Sequence, residues 1–285
     1  MEIALQFVLL ALGFVMLGKG ADWFVEGAAG IAMRFGIPQL VIGLTIVAMG
    51  TSAPEAAVSI AAAVKGNADI TIGNIVGSNI LNILIILGLA ASIVPIAVAR
   101  STVRIEIPFM IGVTALLFYQ GRDGSISLAD GGVLMVAFAA YMMYLYTMAM
   151  KSNVDSDLEE PGLPLGRCLL GAVGGLALII AGSNVTVGAA TSIATYAGLS
   201  ERFIGLTIVA LGTSLPELFT SVAAARRGNA DIAIGNIVGS NIFNILFVVG
   251  LSALIIDIPF ASAFNFDTYV ALGAAVLLWL CVLRT

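Results

Sequence analysis

The sequence has 285 residues, of which 60% are hydrophobic and only 10% are charged, and its formal net charge is −5. A soluble protein carries about 25% charged residues, so too few charges are present to cover a water-soluble globule of this size. The twelve Lys and Arg residues form no basic tract, which argues against a nucleic-acid binder. Histidine is absent, and Cys168 and Cys281 have no metal-binding spacing. The composition indicates an all-α polytopic membrane protein.

Nine segments are long and apolar enough to cross a bilayer, which requires about 20 residues of helix. The first has no cleavage site in a suitable place and is interpreted as a retained helix, not a signal peptide. The longest loop is an acidic linker, 151–164, between a first half (1–150) and a second half (165–285). The predicted spans are 3–33, 38–64, 69–95, 102–119, 128–149, 165–194, 200–226, 231–257 and 266–283.

The distribution of basic residues predicts that the N-terminus lies outside. Lys and Arg in short loops mark the cytoplasmic side, and this orientation puts eight of them inside against three outside. Asp22 and Glu26 lie in the inner part of the first span and are expected to form an interfacial cluster with Lys19. The inside residues are Arg34, Arg100, Arg104, Lys151, Arg167, Arg226, Arg227 and Arg284, and the outside ones are Lys65, Arg122 and Arg202.

An internal repeat relates the two halves at a constant offset of 162 residues. GLTIVAMGTSAPE at 43–55 returns as GLTIVALGTSLPE at 205–217, and GNADITIGNIVGSNILNIL at 66–84 returns as GNADIAIGNIVGSNIFNIL at 228–246. Residues 36–89 and 198–251 share 36 identities in 54 positions without a gap. Shared hydrophobicity cannot produce this agreement, so the halves arose by duplication.

The two copies are predicted to be inverted, because an odd number of crossings, five, separates each position from its partner. Inverted repeats are typical of transporters, in which two copies flank a midplane site and alternate its access. The partner of the fifth span would begin near position 290, so the tenth helix of a five-plus-five arrangement is expected to be missing.

Each copy carries a proline in the middle of a spanning segment, at Pro54 and Pro216. Proline has no N–H to donate to the carbonyl four residues earlier, so each helix should kink or break. Freed carbonyls are tolerated in a membrane only where protein or a polar cavity satisfies them. The carbonyls, hydroxyls and carboxylate at this depth are hard oxygen ligands of the kind that Na⁺ and Ca²⁺ prefer.

Glu55 and Glu217 are the carboxylates near the centres of long apolar segments. A charge at that depth costs about 3 kcal/mol or more, and no Lys or Arg lies at matching depth except Lys19. The compensating charge is therefore predicted to be a transported cation, and two carboxylates neutralise one divalent ion. Protonation of both Glu side chains is the alternative.

Polar residues of the following helix are predicted to face the same site. Asn82 and Asn244 each follow a Glu by 27 residues, and an amide carbonyl there could meet the carboxylate or could simply join the helices by hydrogen bonds. Ser78, Asn79, Ser240 and Asn241 lie a turn away and could line the same path. The GNIVG stretches at 73–77 and 235–239 have the small-xxx-small spacing of close helix packing.

These motifs, GTSAPE with GNIVGSNILN and GTSLPE with GNIVGSNIFN, resemble the two repeats of the calcium/cation antiporter superfamily, in particular its prokaryotic sodium/calcium exchanger branch. The resemblance implies ten helices arranged as inverted five-helix repeats, with the second, third, seventh and eighth around the ions. It also implies exchange of about three Na⁺ for one Ca²⁺.

The resemblance further implies a ligand set, with Glu55 and Glu217 binding both ions and the Thr51 and Thr213 carbonyls completing the Ca²⁺ shell. Some relatives that co-transport K⁺ have Asp where this sequence has Asn244, which argues against K⁺ here. The Na⁺ sites would be served by the carbonyls of Ala48 and Ala210, together with Ser52, Thr213, Ser214, Ser78 and Ser240.

The sequence thus predicts an electrogenic, K⁺-independent Na⁺/Ca²⁺ antiporter of a prokaryotic cytoplasmic membrane. It needs no cofactor, and its partners are the two ions and the lipid bilayer, with no nucleic acid and no identified protein. An H⁺/Ca²⁺ exchanger is the alternative in the same class, and a cation channel is an alternative from another class. No catalytic constellation of an intramembrane enzyme is present.

Overall fold

The computed structural model describes residues 2–66, 68–151, 163–200, 207, 208 and 210–283. Almost all of them are helical. The helices are α1 (Glu2–Phe35), α2 (Gln39–Thr51), α3 (Ala53–Val64), α4 (Ile70–Ile93), α5 (Thr102–Asp123), α6 (Leu128–Lys151), α7 (Leu165–Tyr196), α8 (Ala210–Thr213), α9 (Leu215–Arg226), α10 (Ala230–Ile255) and α11 (Ala263–Val282).

Eight of the nine predicted spans are confirmed within the described residues. Seven are single helices long and apolar enough to cross a membrane, and the eighth is the bent pair α2 and α3. The ninth, 200–226, lies partly outside the described residues, which contain its later part as α8 and α9. Residues 152–162 of the predicted acidic linker also lie outside them. The outside location of the N-terminus and the inversion of the repeats stay predictions.

Four π-helical turns with both ends in the described part of the chain interrupt the α-helical hydrogen bonding. They cover Gly43–Val47 in α2, Asn82–Leu87 in α4, Thr102–Glu106 in α5 and Asn244–Val249 in α10. Such turns occur mostly where a helix is distorted at a functional position. Two of them begin at the predicted site residues Asn82 and Asn244, at the same point of each repeat.

A small β ribbon is the departure from the expected all-α structure. β1 (Ser125–Ile126) pairs antiparallel with β2 (Ile258–Pro259), and the Phe260 amide donates to the Gly124 carbonyl at 2.8 Å. The ribbon joins the loop after α5 to the loop after α10. It therefore ties the two halves together at one end of the bundle.

Helices α1 and α7 form a closely packed pair along most of their length. Glycines make this approach possible: a Cβ on Gly20 would lie 2.9 Å from the Gly175 carbonyl oxygen, and one on Gly175 would lie 2.7 Å from the Gly20 carbonyl oxygen. Small residues at helix crossings are the usual means of close packing in membranes. The two helices therefore form one closely packed unit.

The α1–α7 pair contacts the two halves unequally. α1 packs along α9, and Arg227 at the end of α9 forms ion pairs with Asp22 at 3.5 Å and Glu26 at 3.2 Å. The prediction that Lys19 supplies the cation of this cluster is wrong. Lys19 is exposed and makes no ion pair with a described residue. α7 is not packed along α3 in the same way, although both helices are fully described.

Candidate ion-binding site

The second span breaks where Pro54 predicts it. α2 and α3 meet at an angle of 51°, and the linking residue, Ser52, has φ −80° and ψ 6°, outside the helical geometry. In the second copy Ser214 links α8 to α9 with φ −91° and ψ 4°. Both breaks lie three residues before a glutamate, so each carboxylate stands in the first turn of a helix that starts inside the bundle.

The carbonyl that Pro216 leaves without a backbone donor has found another partner. The Ser183 hydroxyl of α7 donates to the Gly212 carbonyl at 2.8 Å. The position equivalent to Ser183 in the first copy is Ala21, which has no hydroxyl. The break in the second copy is therefore held by the α1–α7 pair, and the break in the first copy is not held in this way.

Glu55 and Glu217 are each only 1% exposed, and serines of the opposite copy bind them. The Ser52 hydroxyl donates to Glu217 Oε1 at 2.8 Å, and the Ser214 hydroxyl donates to Glu55 Oε1 at 3.3 Å. Since Ser52 is on the same break as Glu55, these crossed hydrogen bonds bring both carboxylates to one place. The sequence predicted this convergence of the two Glu residues.

Four buried oxygen atoms at this place have no hydrogen-bond partner among the described residues. They are the second carboxylate oxygens of Glu55 and Glu217 and the side-chain oxygens of Asn82 and Asn244. A buried oxygen without a partner is costly, and native structures rarely leave one without a reason. Four such oxygens from four helix segments, two of them on carboxylates, are of the chemical type that hard cations prefer as ligands.

The amide orientation of Asn82 and Asn244 is fixed by two further asparagines. Asn82 Nδ2 donates to Asn241 Oδ1 at 2.9 Å, and Asn244 Nδ2 donates to Asn79 Oδ1 at 3.0 Å. With the NH₂ group engaged, each amide has its oxygen left for the site.

Asn79 and Asn241 are themselves held by each other's backbone. Asn79 Nδ2 donates to the Asn241 carbonyl and Asn241 Nδ2 donates to the Asn79 carbonyl, both at 3.1 Å. These two residues, predicted to line the ion path, thus orient the side chains that face the site.

Asn74 and Asn236, inside the GNIVG stretches, are functional residues that the sequence interpretation missed. Asn236 Nδ2 donates to the Glu217 carbonyl at 3.4 Å and to the Ser221 hydroxyl at 2.9 Å, and Asn74 makes the equivalent contacts with Glu55 and Ser59 at 3.3 and 2.9 Å. They fix the backbone that carries each glutamate. The available signal was an amide repeated at the same point of two apolar helices.

The glycines of GNIVG pack as predicted in the second copy. A Cβ on Gly239 would lie 2.8 Å from the backbone of Leu44 in α2, and one on Gly235 would lie 3.1 Å from the Gly43 backbone. This contact carries α10, with Asn244, onto the helix that ends at the first break.

Most of the remaining predicted ligands are buried, and two of them make hydrogen bonds between the two copies. Ala48, Thr51, Ser52 and Ser214 are buried, as are Ser78 and Ser240. The Ser240 hydroxyl donates to the Ala48 carbonyl at 3.4 Å, and the Thr51 hydroxyl donates to Asn236 Oδ1 at 3.0 Å. Thr213 is half-buried at the second break, and Ala210 is placed by its backbone at the start of α8.

No basic side chain compensates the two carboxylates within the described part of the chain. Arg227 alone forms ion pairs there, with Asp22 and Glu26 on α1. An uncompensated carboxylate within a membrane is expensive. Within the described residues, the pair therefore has no positive charge beside it from the protein itself.

Residues 5–147 and 168–285 match the family described as sodium/calcium exchanger protein. The chain belongs to this family. The resemblance to the calcium/cation antiporter superfamily and its prokaryotic branch is thereby confirmed, and with it the class of protein: a multi-pass membrane transporter and not an enzyme.

Individual relatives in the sodium/calcium exchanger family cover nearly the whole chain. The putative antiporter CaxA of Alkalimonas amylolytica is 42% identical over 100% of this chain and 91% of its own length. The sodium/calcium exchanger MaX1 of Methanosarcina acetivorans is 34% identical over 99% of this chain and 92% of its own.

A solved structure of the sodium-calcium exchanger NCX_Mj, soaked with Na⁺ and Sr²⁺, has the same fold. Its TM-score is 0.87 at 34% identity, over 98% of this chain and 91% of that one. Membership of the family and this structural match establish exchange of Ca²⁺ against another cation as the activity of the chain.

Proposed function

We propose that the chain is a secondary antiporter that moves Ca²⁺ in one direction and Na⁺ in the other by alternating access. The observation that carries this proposal is the set of four unpartnered oxygens on Glu55, Glu217, Asn82 and Asn244. All four residues are buried, crossed hydrogen bonds from Ser52 and Ser214 bring the two carboxylates together, and no basic side chain of the described residues forms an ion pair with them. The site requires cations to be stable.

The charge of the site selects its ions. Two ionised carboxylates give −2, which one Ca²⁺ brings to zero. Two Na⁺ would also neutralise the pair, and a third would leave the site at +1. Ca²⁺ and Na⁺ cannot be bound at the same time because both require the same carboxylates. This competition couples the Ca²⁺ flux to the Na⁺ flux.

The ligands are proposed in two groups. Ca²⁺ takes six to eight oxygen ligands, so the two glutamates are joined by the carbonyls of Thr51 and Thr213, with Asn82 and Asn244 beside them. Na⁺ uses the same glutamates together with the carbonyls of Ala48 and Ala210 and the hydroxyls of Ser52, Thr213, Ser214, Ser78 and Ser240. No cofactor takes part.

Alternating access is assigned to the α1–α7 pair. α1 lies along α9 with Arg227 bridging to it, while α7 is not packed along α3. We infer that the α9 side is closed in this state and that the α3 side gives access to the glutamates. By the distribution of basic residues, the closed side is the cytoplasmic face of a prokaryotic membrane, with the N-terminus outside.

The coupling ion is tested by ⁴⁵Ca²⁺ uptake into proteoliposomes with an imposed outward gradient of Na⁺, H⁺ or K⁺. Uptake driven by Na⁺ alone is expected. Uptake driven by H⁺ without Na⁺ would identify the chain as an H⁺/Ca²⁺ exchanger, and uptake that never saturates and needs no counter-ion would identify a channel.

The stoichiometry is tested by voltage. Exchange of three Na⁺ for one Ca²⁺ moves one net charge, on which 100 mV acts with about 2.3 kcal/mol. Under a potential clamped with valinomycin and K⁺, the exchange should accelerate or slow with the sign of the voltage. Uptake that is independent of voltage would exclude this stoichiometry.

Independence from K⁺ is proposed from Asn244. An amide offers a neutral oxygen and cannot supply a third negative charge, so Ca²⁺ with K⁺ would leave the site at +1. Wild-type Ca²⁺ flux at fixed Na⁺ and voltage should persist when choline replaces K⁺. Asn244→Asp should gain K⁺ dependence, with Asn82→Asp as the matched variant, and a wild type that stops without K⁺ would contradict the role given to Asn244.

A further inference from the structure

A second buried carboxylate lies away from the ion-binding site. Glu106 ends the π-helical turn of α5, Thr102 begins it, and both side chains are 0% exposed. The turn faces α6, where Tyr144 donates its hydroxyl hydrogen to Glu106 Oε1. Nothing in the exchange cycle proposed above uses this group.

The cluster contains three oxygen atoms without a partner among the described residues. They are Glu106 Oε2, the Thr102 hydroxyl and the Tyr141 hydroxyl. Tyr141 is 4% exposed, and its ring stacks on Phe109, one turn beyond Glu106, with the centroids 5.3 Å apart. One carboxylate and the hydroxyls of two tyrosines and a threonine thus gather at the contact between α5 and α6.

Among the residues that the structure describes, no cationic side chain forms an ion pair with Glu106. From α6 the titratable groups that face it are Tyr141 and Tyr144, and from α11 the neutral Trp279 donates its indole N–H to the Val103 carbonyl at 2.8 Å. Arg104 on the same turn of α5 makes no ion pair with a described residue. A buried carboxylate with a single hydroxyl donor lacks one positive charge.

The cluster has a route to the surface. Tyr144 also lines a cavity of about 480 Å³, together with Pro38, Thr147, Met148 and Lys151. The cavity opens at the end of the bundle where α6 finishes, which the basic residues predict to be cytoplasmic. Tyr144 thus borders this cavity and also donates its hydroxyl hydrogen to Glu106.

The cluster exists in one copy of the repeat only. The residue 162 positions after Glu106 is Thr268, whose hydroxyl donates to the Phe264 carbonyl of its own helix at 2.7 Å. The exchange site, in contrast, uses matching residues from both copies.

We propose that Glu106, Tyr144, Tyr141 and Thr102 form a second site, which takes up one small monovalent cation, a proton or a sodium ion, from the Lys151 end of the bundle. The cation neutralises the carboxylate, and the unpartnered hydroxyls complete its surroundings. Tyr144 lines the same cavity as Pro38, where the chain enters α2. Occupancy of this site is therefore expected to affect the position of α2, the helix that carries Thr51.

The test is infrared difference spectroscopy of the reconstituted protein, wild type against Glu106→Gln. In one arm the pH is lowered without Na⁺, and the carboxylic acid C=O band of the wild type should be reduced by one group in the variant. In the other arm Na⁺ is added at constant alkaline pH. Binding of Na⁺ should change the carboxylate bands of the wild type, and the part of this change that comes from Glu106 should be absent in the variant. A loss in the first arm identifies a proton, and a loss in the second identifies Na⁺.

Two controls separate binding from structure. Tyr144→Phe keeps the carboxyl but removes its donor, so the band should shift in frequency and not disappear. Asp267→Asn removes an exposed carboxyl beside Thr268, at the equivalent place of the second copy, and should alter neither Glu106 band. Spectra of Glu106→Gln that equal the wild type in both arms would overturn the proposal, and this readout does not depend on whether Na⁺ drives Ca²⁺ transport.

Discussion

Helices α4 and α10 have nearly the same sequence and very different surroundings. Leu84 of α4 is 43% exposed, and its counterpart Leu246 of α10 is 0% exposed. α10 lies between α2 and α6, where the tilted rings of Phe138 and Phe247 are in contact with their centroids 5.2 Å apart, and no described helix covers α4 in the same manner. Repetition of a sequence therefore does not repeat its burial, because burial depends on the neighbours.

The ion-binding residues do not share this inequality. Glu55 and Glu217 are equally buried, and so are Asn82 and Asn244, each at 1% exposure. Each copy supplies the same oxygens, and the crossed Ser52 and Ser214 hydrogen bonds make each copy depend on the other. The site is symmetric, whereas the helices around it are not. Substitutions at matched positions of the two copies can test the symmetry of the site and the asymmetry of its surroundings.

The largest effect is expected at the glutamates. Glu55→Gln and Glu217→Gln should each reduce Ca²⁺ exchange by about 100-fold or more. Each substitution removes one of the two negative charges that balance Ca²⁺, and a buried charge left without its counter-charge costs about 3 kcal/mol or more. The measurement is ⁴⁵Ca²⁺ flux at saturating Na⁺. Retention of a single sharp gel-filtration peak serves as the folding control, and near-normal exchange in either variant would contradict the two-carboxylate site.

A smaller and unequal effect on stability is expected at the matched leucines of α4 and α10. Leu246→Ala should destabilise the protein by about 2–5 kcal/mol, because a buried leucine leaves a cavity, whereas Leu84→Ala should cost less than about 1 kcal/mol, as at exposed positions. Thermal unfolding in one detergent compares the two variants directly. Equal losses would show that α4 is covered as closely as α10.

The smallest effect is expected at the closed side. Arg227→Gln removes the ion pairs with Asp22 and Glu26, which are partly exposed and therefore contribute at most about 1 kcal/mol. Exchange rates should change by less than about fivefold. The counterpart Lys65→Gln should have no effect, because the residues equivalent to Asp22 and Glu26 in the second copy are Asn184 and Gly188, which carry no charge. A larger change in Lys65→Gln would argue against an effect specific to the Arg227 ion pairs.

Most of the fold could be predicted from the sequence because a bilayer requires long apolar helices and the repeat is almost exact. The break at Pro54 and the pairing of Glu55 with Glu217 were predictable for the same reason. The roles of Asn74 and Asn236 were not, because a sequence does not say which carbonyl an amide binds. Arg227 replaced Lys19 as the partner of Asp22 because the packing of α1 on α9 is a tertiary contact.

The reciprocal hydrogen bonds between Asn79 and Asn241 have a wider meaning. Each asparagine donates a side-chain N–H to the backbone carbonyl of the other. Identical subunits make the same kind of reciprocal contact across a two-fold axis. A single five-helix polypeptide, paired with an upside-down copy of itself, would carry every side chain needed for these bonds and for the paired glutamates. The side chains that supply the central oxygens are thus specified twice in the sequence, once in each repeat, by identical residues 162 positions apart.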